Sequence, residues 1–186
     1  TTRLDSLGVA ERNRIRTLIL EHDLKMPAIA AHSPLISGDA ELSDSYRRLY
    51  GAVNLAVNLF PDCPPVINTG TGGSPSCWEQ SKWLIVDRVG QLVNYAGRHG
   101  VSIAMEPHVA AAIDRPERML WLMEQVKSPY LKVNCDYSHF QARGMTPGQS
   151  LPQLAPHTVH AHVKTTVGRY PTHQFLTPGE DDFDYC

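Results

Sequence analysis

Five short apolar runs in this chain each end on a residue able to do chemistry. Ala28-Ile29-Ala30-Ala31 leads to His32, and Val66-Ile67 leads to Asn68. Ser102-Ile103-Ala104-Met105 leads to Glu106, Lys132-Val133-Asn134-Cys135 to Asp136, and Val159-His160-Ala161 to His162. Taken singly, an acid in such a place is an ordinary loop-start or cap residue, and a histidine an ordinary core residue. The recurrence changes the reading. Two carboxylates and an imidazole gathered at one place suit a divalent cation with oxygen and nitrogen ligands. Mn²⁺, Mg²⁺, Co²⁺ or Fe²⁺ fit better than a thiolate-bound metal, and Zn²⁺ is also compatible. Glu106, Asp136 and His162 are therefore the candidate metal ligands.

Other residues qualify by position. His139 follows Asp136 by three residues and can reach back over the same mouth. His160 shares strand parity with His162 but lies further from the end, which reads as core or as support behind the ligands. His108 follows Glu106-Pro107 and reads either as a pocket residue or as a solvated loop residue. His32, Asn68 and Lys164 are further candidates for contact with a substrate, Lys164 or Arg169 with its phosphate or carboxylate. His22, His99, His157 and His173 read as surface or loop. Cys135 alternates with Asp136 and so faces away from it. The cluster Gly70-Thr71-Gly72-Gly73 reads as a tight loop that lets backbone approach a ligand. Met119, Trp121 and Met123 read as helix packing.

These residues need elements that bring them together. Strand-like runs span 26–32, 65–69, 101–106, 131–136 and 158–164. Helical periodicity lies between them: Glu11 to Glu21 with Ile15, Leu18 and Ile19 on one face, Ser43 to Phe60, Trp78 to Arg98, and a helix carrying Met119, Leu120, Met123 and Val126. Asp114 is placed to N-cap that last helix, with Glu117 completing a capping box. A short, proline-crowded helix is expected near Gln149 to Leu154. Continuous apolar strands alternating with helices imply a parallel sheet covered on both faces. The glycine cluster lacks the dinucleotide-binding spacing and no Walker motif occurs, so an open nucleotide-binding sheet is disfavoured. A (β/α)₈ barrel places every strand end on one rim, which is where catalytic groups gather. With five strands read and about 250 residues usual for a barrel, the 186 residues are expected to form one incomplete barrel domain over 1–186, lacking two strands upstream and one downstream.

Composition excludes several classes. Lys and Arg number 17 against 19 Asp and Glu, with no basic run, which argues against a nucleic-acid partner. No apolar stretch approaches the ~20 residues of a membrane span. Four irregularly spaced cysteines without Cys-x-x-Cys fit unpaired thiols in a reducing, cytoplasmic setting. An open barrel exposes sheet edges, so the chain is expected to self-associate, as a homo-oligomer or by aggregation.

Four segments, in order, resemble the sugar phosphate isomerase/epimerase family of xylose isomerase-like barrels: Ile103-Ala104-Met105-Glu106-Pro107-His108, Asp136-Tyr137-Ser138-His139-Phe140, Val159-His160-Ala161-His162-Val163-Lys164, and Phe175 to Tyr185 with its Pro178-Gly179-Glu180-Asp181-Asp182-Phe183 core. The resemblance covers nearly the whole chain. It implies metal ligands at Glu106, Asp136 and His162, with a substrate contact at His139. It also implies a fourth ligand, a glutamate at the end of a last strand that would lie beyond Cys186. The implied activity is metal-dependent isomerisation or epimerisation of a small sugar, sugar phosphate or polyol, with Glu106 both ligand and acid/base. Three other readings stay open: an inosose or dehydroshikimate type of dehydratase, an apurinic endonuclease that the balanced charge disfavours, and a non-catalytic sugar-binding module.

Overall fold

The computed structural model describes residues 7–180. Five parallel strands form one sheet in the order β1(Ala28–Ala30), β2(Val66–Thr69), β3(Ile103–Met105), β4(Leu131–Asp136), β5(Thr158–His162). Sequential order with parallel pairing is the arrangement of a barrel wall, as expected, and each crossover carries a helix. The helices are α1(Val9–Glu21), α2(Asp39–Leu59), α3(Trp78–Arg98), α4(Pro116–Val126), α5(Tyr137–Ala142) and α6(Pro147–Leu154). Leu49, Val53 and Ala56 of α2, Ile85, Val89 and Leu92 of α3, and Met119 and Leu122 of α4 are fully buried against the outer face of the sheet. Among the described residues the edges at β1 and β5 carry no further strand.

Several expectations change. The strands are shorter than the apolar runs, so Glu106 lies one residue past β3, His32 two past β1, and Asn68 one before the end of β2. Helix α1 buries no residue fully: Ile15 and Ile19 are half-buried, Ile15 against the core, while Leu18 stands in solvent at 44% exposure, so the expected apolar face packs only in part. Helix α4 begins at Pro116, not at Arg115. Proline suits the first helical position, and it holds the residue before it in extended backbone. Arg115 is extended at φ −154° and ψ 159° and becomes the N-cap. Asp114 therefore caps nothing, and the expected box with Glu117 does not form. Instead Asp114 turns inward and is fully buried among arginines.

Two elements have no counterpart in the sequence reading. Helix α5 starts directly on Asp136, whose side chain accepts a hydrogen bond from the Ser138 backbone. An antiparallel hairpin, β6(Thr165–Val167) and β7(Gln174–Leu176), follows β5. The expected strand to Lys164 breaks after His162. Of the segment Phe175 to Tyr185, the part from Asp181 onward lies outside the described residues, as do Cys186 and the first six residues.

Candidate metal centre and active site

The positions of the site residues follow from strand register. Asn134 and Asp136 of β4 face inward, while Leu131, Val133 and Cys135 join the core under the helices. Between β4 and β5 the register slips: Val133 pairs with Thr158, but Asn134 pairs with His160. The extra residue on β5 is a bulge, which re-aims the side chains beyond it. It sets His162 opposite Asp136, where an unbroken register would set Ala161. Just past β3, Glu106 donates its backbone N–H to the Thr69 carbonyl, which ties it to the end of β2.

The result is a cluster. Glu106, Asp136 and His162 each offer a ligand atom, and these lie within 4.8 Å of one another. His162 Nδ1 is 2.8 Å from Glu106 Oε1, and His32 Nε2 is 3.8 Å from Glu106 Oε2. Asp136 accepts hydrogen bonds on Oδ1 from the Ser138 N–H (3.1 Å) and hydroxyl (2.5 Å). Its Oδ2 is 2.8 Å from Lys164 Nζ, in charge contact but out of hydrogen-bond alignment. The Asn68 and Asn134 amide nitrogens approach the two ring nitrogens of His162 at 3.4 and 3.3 Å, and each leaves its Oδ1 buried without a partner.

This donor set fits a divalent cation. Glu106 beside His162 Nδ1 calls for a proton there, while the Asn134 amide N–H calls for a lone pair. Both cannot be met by one tautomer, and a cation between Nδ1 and Glu106 Oε1 would instead take up the ring lone pair and the carboxylate charge together. Two carboxylates against the single Lys164 ammonium leave a net negative charge for such an ion to offset.

Above the cluster opens a cavity of about 700 Å³. His32, His108, His139 and Lys164 line it with Glu106 and His162. Asn68 and Asp136 lie behind this lining rather than on it. His108 therefore belongs to the pocket, not to a solvated loop. Its ring packs 4.0 Å from that of His139. Burial drives the His139 pKa down to about 2, helped by His108 and Lys164, and burial also lowers that of His108. Both rings are thus neutral and act as hydrogen-bonding groups. His139 Nε2 lies 3.5 Å from both Asp136 Oδ2 and Lys164 Nζ.

The glycine loop does approach the cavity. Gly72 and Gly73 adopt positive φ (+69° and +71°), and a Cβ on Gly73 would meet Ile36 Cδ1 at 2.9 Å and Cys77 Sγ at 3.0 Å. Three contributors went unread in the sequence. Asn134 and Ser138 could have been found from parity with Asp136 and from the cap position. Phe175 on β7, with its ring 4.2 Å from Lys164 Nζ and 5.1 Å from His139, had no local signal. His173, read as a loop residue, packs 4.8 Å from Phe175. Arg169, read as a possible anion contact, instead hydrogen-bonds the Gln141 carbonyl.

A model of the xylose isomerase-like TIM barrel matches residues 3–186, and the chain belongs to that family. One curated relative, a 3-dehydroshikimate dehydratase of Bacillus anthracis, is 30% identical over 95 residues, 51% of this chain and 34% of the relative. The solved structure of a probable 3-DHS dehydratase involved in petrobactin synthesis from the same organism superposes at a TM-score of 0.73 with 23% identity, over 86% of this chain and 57% of that one. A xylose isomerase-like TIM barrel protein from Mycobacterium smegmatis in complex with magnesium gives 0.72 and 15%, over 93% and 63%. A D-tagatose 3-epimerase-like protein gives 0.73 and 18%, over 96% and 69%. The chain thus spans about a third of the curated relative and little more than half of the dehydratase structure.

Proposed function

We propose that this chain carries the metal-binding half of an enzyme that moves a proton next to a carbonyl on a small sugar or polyol, with isomerisation or epimerisation as the outcome. The observation that carries this reading is the convergence of Glu106, Asp136 and His162 under a polar cavity of about 700 Å³. Glu106, Asp136 and His162 would hold Mn²⁺, Co²⁺ or Mg²⁺, with Zn²⁺ also compatible. The bound cation would supply positive charge where the carbonyl oxygen gains electron density. Glu106 Oε2, turned toward His32 and the cavity, takes the proton from the carbon beside the carbonyl as general base. Ser138 holds Asp136 in place, and Asn68 and Asn134 hold the His162 ring. Neutral His139 and His108 orient substrate hydroxyls, and His32 and Lys164 meet oxygens at the mouth.

The first test is thermal. Mn²⁺, Co²⁺ or Mg²⁺ at a hundredfold excess over its dissociation constant stabilises the folded state by about 2.7 kcal/mol, and the gain should vanish in Asp136→Ala. Absence of any metal-dependent rise in the parent would overturn the metal reading. With candidate sugars in D₂O, turnover should place deuterium at the reacting carbon.

A second reading, dehydration, is favoured by the sequence likeness to the dehydratase. Proton removal is shared, and loss of a β-hydroxyl as water follows it. Incubation with 3-dehydroshikimate separates the two: a product lighter by one water supports dehydration, and deuterated substrate without that loss supports epimerisation.

A further inference from the structure

The arginine cluster around Asp114 joins three segments that each carry a residue of the pocket or of its wall. Asp114 lies at the end of the β3–α4 loop, which carries His108 and the cavity-lining residues Ala110 and Ala111. Arg143 sits at the C-cap of α5, the helix that carries His139. Tyr170 sits at the tip of the β6–β7 hairpin, which carries Phe175.

One guanidinium touches all three. Arg143 Nη2 is 2.8 Å from Asp114 Oδ2 and donates to the Val109 carbonyl at 2.7 Å. Its planar face covers the Tyr170 ring, with Cζ 4.4 Å from the ring centroid. Asp114 is fully buried, and its other oxygen is held by Arg118 at 2.9 Å and Arg115 at 3.0 Å. Arg118 also bonds the Ala112 and Pro75 carbonyls. The hairpin is tied to α5 at two further points, Tyr170 N–H to the Ala142 carbonyl and Thr166 Oγ1 to the Ser138 carbonyl.

We propose that Asp114, Arg143 and Tyr170 form a clasp that positions His108 and Phe175 on either side of His139. None of the three lines the cavity, so they are positioning residues and not catalytic ones. Besides the clasp, His108 is held by its own loop, with its N–H on the Ile113 carbonyl, and Phe175 by the hairpin and its two ties to α5. With the clasp in place, the 4.0 Å contact of His108 and the 5.1 Å contact of Phe175 leave His139 only 1% exposed. Arginine suits this: Nη2 alone serves both Asp114 and Val109, and the flat guanidinium face that covers Tyr170 is a property lysine lacks. The importance of the clasp for substrate rests on the function proposed above, but its existence does not.

The test therefore uses neither metal nor substrate. Histidines of the whole chain are modified with diethyl pyrocarbonate and the rate at each is read by mass spectrometry, with amide hydrogen exchange followed in parallel. Arg143→Lys and Tyr170→Leu should each speed modification of His139 at least fivefold. The exposed His99 should keep its parent rate, and amides of β3 and β4 their parent protection. The double variant should react no faster than the faster single one, since both break one device. Parent-like His139 modification in both single variants overturns the proposal. So does loss of β3 and β4 protection alongside faster His139 modification, which would mean general loosening. Tyr170→Leu removes no buried charge, so it decides the matter even if an Arg143 variant fails to fold.

Discussion

At the scale of single residues, two cysteines report how local surroundings set chemistry. Burial pushes the Cys135 thiol up to about 11, with the Asp136 charge adding to it. At Cys77 burial also raises the pKa, but hydrogen bonds from Ser81 and Ser74 outweigh it and the net shift is downward. A lowered pKa means more thiolate at a given pH, so Cys77 should alkylate with iodoacetamide at lower pH than Cys135, which stays intact until about pH 10. Peptide mass spectrometry across a pH series checks the order; equal rates would contradict it. Gly73 is a second residue-scale case. Its positive φ and crowded Cβ position predict that Gly73→Ala destabilises the fold by about 1–3 kcal/mol, measured by urea unfolding. The candidate ligands were legible at this scale because acids and histidines at the ends of apolar runs are conspicuous. Asn134 shows only through its strand parity with Asp136, since an amide inside a strand otherwise looks like any polar strand residue.

At the scale of elements, the start of α4 separates what a pattern suggests from what packing chooses. Asp-Arg-Pro-Glu reads as a capping box, yet Pro116 fixes the helix start and leaves Asp114 to the arginines. Removing one partner of a buried ion pair costs about 3–5 kcal/mol, so Asp114→Ala should be strongly destabilising. Glu117 is exposed and makes no cap, so Glu117→Ala should change stability by no more than about 0.5 kcal/mol. Comparable losses from the two would restore the capping box. Long helices such as α2 and α3 were legible from their periodicity. Helix α5, at six residues, is too short to show one, and the strands of the β6–β7 hairpin, at three residues each, are too short to show an alternation.

At the scale of the whole molecule, the sheet has two edges, at β1 and β5, without a neighbouring strand among the described residues. Val159 and Val163 stand beside the β5 edge at 47% and 65% exposure. Apolar side chains along an open edge favour association with another copy. Sedimentation should show concentration-dependent self-association, relieved by the paired variant Val159→Lys and Val163→Lys. A monomer at all concentrations would contradict this.

By itself the sequence determined the alternation of apolar runs and helices, hence a parallel barrel-type sheet, and the residue types at its rim. These follow from local patterns of hydrophobicity and from chemistry concentrated at strand ends. Only the tertiary structure decided which of those residues meet. The bulge that puts His162 rather than Ala161 opposite Asp136, the amides that hold its ring, and the hairpin that brings Phe175 over His139 all depend on contacts between distant segments. Register and packing are properties of pairs of elements, and no stretch of one element carries them.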